Sequence, residues 1–115
     1  MAQLSTHVLD TARGTPAGDV AIALHRITDT GRLLLASTRT NADGRTNEPL
    51  LQDLQPGIYE LTFHTGDYFL HTNTVVTDPA FLDQIVIRFG VADPVSNYHV
   101  PLLLSPYGYS TYRGS

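Results

Sequence analysis

The chain has 115 residues, a hydrophobic fraction of 42% and a formal net charge of -4, which suits one globular domain over residues 1–115 with its own core. Cysteine and lysine are both absent, excluding disulfides, thiolate nucleophiles, cysteine metal sites and Schiff-base lysines. The seven basic residues form no block, and the longest apolar run, Val20 to Leu24, is far too short to span a bilayer, so neither a nucleic acid nor a membrane is an expected partner.

The N-terminal run MAQLSTHVLD lacks a basic segment followed by an apolar core, so a cytoplasmic protein is expected. Leu4 to Thr11 reads as the first strand, closed by the turn-rich segment Arg13 to Gly18. Val20 to Thr28 and Leu33 to Thr40 follow, separated by Asp29-Thr30-Gly31. Asn41-Ala42-Asp43-Gly44 is a strong turn signal. Leu50 and Leu51 fit a short edge strand. Pro56-Gly57 opens Ile58 to His64, where Tyr59, Leu61 and Phe63 alternate with Glu60 and Thr62. Thr65 to Leu70 fits one short helix with Thr65 as its N-cap. Residues 71–83 read as a polar connection, and Gln84 to Val91 as a further strand. Tyr98 to Leu104 and Tyr107 to Arg113 form the last pair, around Ser105-Pro106. Seven or eight half-apolar strands and one short helix predict an all-β fold, a sandwich of two antiparallel sheets. Pro101 lacks an N–H for the ladder, so an edge position or a bulge is expected there.

No local motif announces a reaction. The five histidines, His7, His25, His64, His71 and His99, have no helical metal spacing. The glycine-framed serine of α/β-hydrolases and the phosphate-binding glycine loops are missing. Strand parity says more. His7 shares a face with Ser5 and Leu9; His99 shares one with Pro101 and Leu103. In the last strand Gly108, Ser110, Tyr112 and Gly114 share one face, with Tyr107, Tyr109, Thr111 and Arg113 on the other. A face this poor in large side chains suits a groove or a tight subunit interface rather than a core layer. Each residue also has a plainer reading. A strand histidine is commonly a hydrogen-bonded surface or core group, an arginine after a turn glycine (Arg45) is commonly solvated, and Tyr112 fits simple packing.

Four stretches together resemble the transthyretin-related 5-hydroxyisourate hydrolases: LSTHVLDTARGTPA at 4–17, ADGRT at 42–46, GIYELTFHTGDYF at 57–69 and YHVPLLLSPYGYSTYRGS at 98–115. Residues 71–96 match less distinctly. The resemblance implies a transthyretin-like (prealbumin-like) sandwich and a homotetramer, a dimer of dimers with a central channel and active sites at the dimer–dimer interface. It implies a site made from His7, Arg45, His99 and the terminal Tyr112, Arg113, Gly114 and Ser115. The signature histidines and the YRGS ending also favour the hydrolases over the hormone-carrying transthyretins, which lack them. A carrier of a small aromatic ligand in the channel is the alternative, and a sandwich without a small ligand is a third.

The implied reaction opens the six-membered ring of 5-hydroxyisourate by hydrolysis, giving 2-oxo-4-hydroxy-4-carboxy-5-ureidoimidazoline. Water must lose a proton, an oxyanion must be stabilised and a ring nitrogen must gain a proton. Imidazole suits the proton transfers near neutral pH, so His7 and His99 are expected to share them, with His99 on the water side. Arg45 stays cationic and offers a planar fork to the substrate or oxyanion. Tyr112 is expected to donate to the substrate, and Ser115 with its carboxylate to orient a histidine or wall the site. No cofactor is expected. Two histidines are fewer than a catalytic zinc site uses, so no metal is expected either.

Overall fold

The structure, a computed structural model, describes residues 2–114. These form eight strands and one helix: β1 (Leu4–Asp10), β2 (Thr15–Pro16), β3 (Ala21–Thr28), β4 (Gly31–Arg39), β5 (Gly57–Phe63), α1 (Thr65–His71), β6 (Ile85–Val91), β7 (Tyr98–Ser105) and β8 (Gly108–Thr111). Two four-stranded sheets stack face to face, ordered β2-β1-β7-β8 and β4-β3-β5-β6. Strand alternation puts Leu4, Val8, Leu102 and Leu104 of the first sheet against Leu24, Leu61 and Phe63 of the second, all essentially sealed from solvent. Burial of such side chains is the main stabilising term, each contributing about 1.5–3 kcal/mol.

The sandwich is all-β, as its turn rhythm implies, but not every pair is antiparallel. β1 runs parallel to β7, in the register Leu4↔Tyr98 through Asp10↔Leu104. Strands joined by a hairpin must run antiparallel, whereas these two are separated by most of the chain and carry no such constraint. β2 is a two-residue strand inside the segment read as a turn, paired with Leu9 and Asp10. Leu51 makes a single bridge to Leu4.

Two local expectations are corrected. Thr65 does not cap α1. The cap position is His64, without a side-chain cap bond, because the Thr65 hydroxyl donates to the Leu82 carbonyl and ties the helix start to the following loop. Pro101 lies in β7, an interior strand with no register shift, so it marks neither an edge nor a bulge. The ladder to β8 simply opens there. It runs from Ser105↔Gly108 to Leu102↔Thr111, lapses beside Pro101, and closes again in the same register at His99↔Gly114. The Thr111 hydroxyl donates to the Pro101 carbonyl at 2.7 Å. One missing donor is thus absorbed by a gap in the pairing. The register shift of the β3–β4 pair falls instead between Leu24 and His25.

Candidate active site

β1 and β7 lie side by side, so their outward faces form one surface. Thr6 and Val8 are buried while Ser5 and His7 are half-buried, as strand alternation requires. Register sets Ser5 opposite His99 and His7 opposite Pro101. The two histidines are therefore diagonal neighbours on one face. Arg45 joins them through a bridge to His7. An open groove of about 400 Å³ is lined by Ser5, Arg45, Asn97, Tyr98 and His99.

The loop carrying Arg45 is held by Asn41. Its Oδ1 accepts from the Asp43 N–H at 2.9 Å and the Arg45 N–H at 3.2 Å, while its own N–H donates to the Arg45 carbonyl at 2.7 Å. Gly44 turns at φ +76°, a left-handed conformation that other residues rarely adopt. A Cβ there would lie 2.3 Å from the Val8 carbonyl oxygen and 3.3 Å from His7 Cδ2, so the loop packs against β1 only because the position is glycine. In return His7 Nε2 donates to the Asp43 carbonyl at 2.8 Å. A carbonyl only accepts, so Nε2 carries a proton, and Nδ1 has no hydrogen-bond partner among the described residues.

His99 is held by its other nitrogen. Nδ1 lies 2.8 Å from the Ser5 hydroxyl, and Nε2 has no hydrogen-bond partner among the described residues. The opposite ring edge rests on Gly114, where a Cβ would come within 2.5 Å of His99 Cδ2. The Gly114 N–H also donates to the His99 carbonyl at 2.7 Å. Burial lowers the basicity of His99, and electrostatic repulsion from Arg45 and then His7 pushes the same way, against an opposing hydrogen bond to the Ser5 backbone. The neutral imidazole is thereby favoured around neutral pH.

Three of the expected site residues, His7, Arg45 and His99, come together, and Gly114 adjoins them as a seat for the His99 ring. Tyr112 belongs to the same face by register, but it is 60% exposed and borders the cleft of Arg113 rather than the groove of His99. Arg113 points the other way. Its guanidinium lies 4.0 Å over the Tyr98 ring, on the inner side of the sheet, where it lines a separate apolar cleft of about 250 Å³ with Ile87, Phe89 and Val100. Parity already put Arg113 opposite Gly114, and the structure keeps it apart from the histidines. Ser115 lies outside the described residues. Sequence reasoning missed Ser5 and Asn41 as partners of the site. Ser5 shares the parity of His7, a usable signal, but its meeting with His99 depends on a pairing across 94 positions. Among the described residues no three His, Asp or Glu side chains gather as metal ligands would.

Residues 4–114 match the family model Transthyretin, described as the HIUase/Transthyretin family. The chain is 56% identical over 117 aligned positions to a 5-hydroxyisourate hydrolase of Ralstonia nicotianae, covering all of both chains. Its fold superposes on the structure of Klebsiella pneumoniae 5-hydroxyisourate hydrolase with a TM-score of 0.83 and 36% identity, again over the full length of both. It also superposes on a crystal structure of (S)-allantoin synthase with a TM-score of 0.94 and 44% identity. There 99% of this chain is covered but only 44% of that longer one. Sequence, fold and the full-length matches lead to one placement: this chain belongs to the HIUase/transthyretin family.

Proposed function

We infer that the protein is an enzyme, a 5-hydroxyisourate hydrolase that opens the six-membered ring of its substrate to 2-oxo-4-hydroxy-4-carboxy-5-ureidoimidazoline. The observation that carries this reading is the convergence of His7, Arg45 and His99 on one open sheet face, in a chain so similar over its full length to hydrolases of that name. The whole chain serves as one catalytic domain.

In the proposed mechanism the neutral His99 accepts a proton from water through Nε2 as the water oxygen bonds to the ring carbonyl carbon. Depressed basicity keeps the ring in the form that can do this. The carbonyl π electrons move onto oxygen, and the Arg45 guanidinium stabilises that charge. Collapse of the tetrahedral intermediate breaks the carbon–nitrogen bond, and the departing nitrogen takes a proton from an imidazolium. His7 faces the substrate with Nδ1 and fixes its orientation. Tyr112 donates a hydrogen bond to the substrate, Gly114 backs the His99 ring, and Arg113 supports that segment from the inner face through its stacking on Tyr98.

The groove lies on an open sheet face, and Tyr112, on the same face by register, is exposed. This fits a homotetramer, a dimer of dimers, in which a second sheet covers the site and shields it from bulk water. None of the helices among the described residues is long and apolar enough to cross a membrane, and a cytoplasmic location is part of the same proposal.

Urate oxidase can generate 5-hydroxyisourate in place while its ultraviolet decay is followed. Addition of the protein should accelerate that decay well beyond the spontaneous rate. A folded protein without effect would overturn the reading.

A further inference from the structure

A histidine has two ring faces and two ring edges. Turning the ring by 180° about Cβ–Cγ exchanges Nδ1 with Cδ2 and moves the reacting nitrogen. At His99 the two edges meet different surroundings. The Nδ1 edge meets the Ser5 hydroxyl at 2.8 Å, and the Cδ2 edge faces Gly114, where an added Cβ would come within 2.5 Å of it. In the flipped ring Cδ2 would face the hydroxyl and Nδ1 would face a glycine carbon, so both edges would lose their match. Gly114 alone tolerates either edge, because it selects by shape. Ser5 selects by chemistry.

We propose that Ser5 is a positioning residue, which fixes the ring orientation of His99 through Nδ1 so that Nε2 is the nitrogen presented to the groove. The inference rests on the hydrolase reading above and deepens it. Ser5 acts from the strand opposite His99, in direct register. Its side chain lines the groove on the His99 side and a second one bounded by Arg45, Thr46 and Pro49, so a methyl added at Cβ has open space. Among the described residues the charged groups acting on His99 are Arg45 from the loop and His7 from β1, and the Nδ1 edge is taken by the Ser5 hydroxyl. When His99 takes up a proton, Nδ1–H donates to Ser5 and stabilises the imidazolium, so the hydroxyl also supports the protonated state formed during turnover.

The test compares Ser5→Ala and Ser5→Thr with the unaltered chain in the 5-hydroxyisourate decay assay over a range of pH. Ser5→Ala is expected to lower kcat by at least about tenfold, the scale of losing a group that orients a reacting one, while KM changes less than about twofold. Its acid limb should move to lower pH, because the imidazolium loses an acceptor. Ser5→Thr keeps the hydroxyl and should recover most of the loss. An unchanged kcat in Ser5→Ala would overturn the proposal. So would a loss in both variants with an unmoved limb, which would mark Ser5 as packing only. Absence of turnover in the unaltered chain would instead overturn the hydrolase reading, so the two failures are separable.

Discussion

His7 and His99 are held by opposite nitrogens, Nε2 to the Asp43 carbonyl and Nδ1 to the Ser5 hydroxyl. His99 lines the groove and His7 is its diagonal neighbour on the same sheet face, each with a different nitrogen unpartnered among the described residues, an arrangement that lets two chemically identical side chains do different work. Arg45 adds a cation that lowers the basicity of His99. The sign of its removal follows. His99→Ala should abolish most of the accelerated decay with the fold intact. Arg45→Ala should also cost about a hundredfold or more, the scale of losing one oxyanion donor. In the activity that remains, His99 regains basicity, so the acid limb of kcat/KM should move to higher pH. This is opposite in direction to the Ser5→Ala shift. A limb that stays in place would show that Arg45 does not act on His99 electrostatically. The chain's parity already put His7 and Ser5 on one strand face, and each identity was readable there. What parity could not supply was the neighbour: Ser5 and His99 meet only because β1 pairs with β7 in parallel, and nothing local to either strand encodes that.

At the level of elements, the end of β1 is clamped to α1. Asp10 is buried at the last position of β1. Its Oδ2 accepts from the Tyr68 hydroxyl at 2.7 Å, and its Oδ1 accepts from the Ala12 and Arg13 N–H groups, each at 3.1 Å. Burial, followed by the bond to Asp10, pushes the Tyr68 hydroxyl up to about 12. Tyr68 thus stays protonated in the folded chain where an unfolded tyrosine ionises near pH 10. The stabilisation is fully present below that ordinary value and is lost as pH rises from about 10 towards 12. Tyr68→Phe should lower stability at neutral pH by about 1–3 kcal/mol, since Asp10 keeps a buried lone pair without its donor. It should also flatten the alkaline fall in melting temperature. Decay of 5-hydroxyisourate should be unaffected, because the clamp sits at the far end of β1 from Ser5. A full alkaline fall in the variant would sink the account. The helix itself was legible from sequence, but its start was not. Thr65 has the composition of an N-cap, yet its hydroxyl serves the loop at Leu82, a tertiary contact that overrides the local preference. The same holds for Pro101, whose missing donor is absorbed by a gap in the ladder rather than by an edge.

Across the whole molecule residues 113 and 114 link the proposed site to the architecture, and they do so on both faces of one sheet. Gly114 closes the ladder onto His99 and seats its ring, while Arg113, one residue earlier, covers the Tyr98 ring on the inner side at 4.0 Å. Tyr98 is buried, and its hydroxyl receives the N–H groups of Ala92 and Asp93 at 3.2 Å each, so the arginine bears on a joint between β6 and β7. Deleting residues 113–115 should therefore act twice. The lost stacking contact removes about 0.5–2 kcal/mol of stability, and the lost glycine seat leaves His99 unrestrained on one edge. Gly114→Ala separates the two effects. Its Cβ crowds His99 Cδ2, so it should reduce turnover strongly, while Arg113 still holds Tyr98 and the melting temperature falls less than in the deletion. Light scattering on the full chain and both variants tests the proposed tetramer and its dependence on this segment. If the deletion melts and turns over like the full chain, the segment is dispensable, and the seat assigned to Gly114 is wrong. If the full chain is the proposed tetramer and only the deletion loses it while both variants lose turnover, the His99 seat and the assembly contact are separate devices carried by adjacent residues.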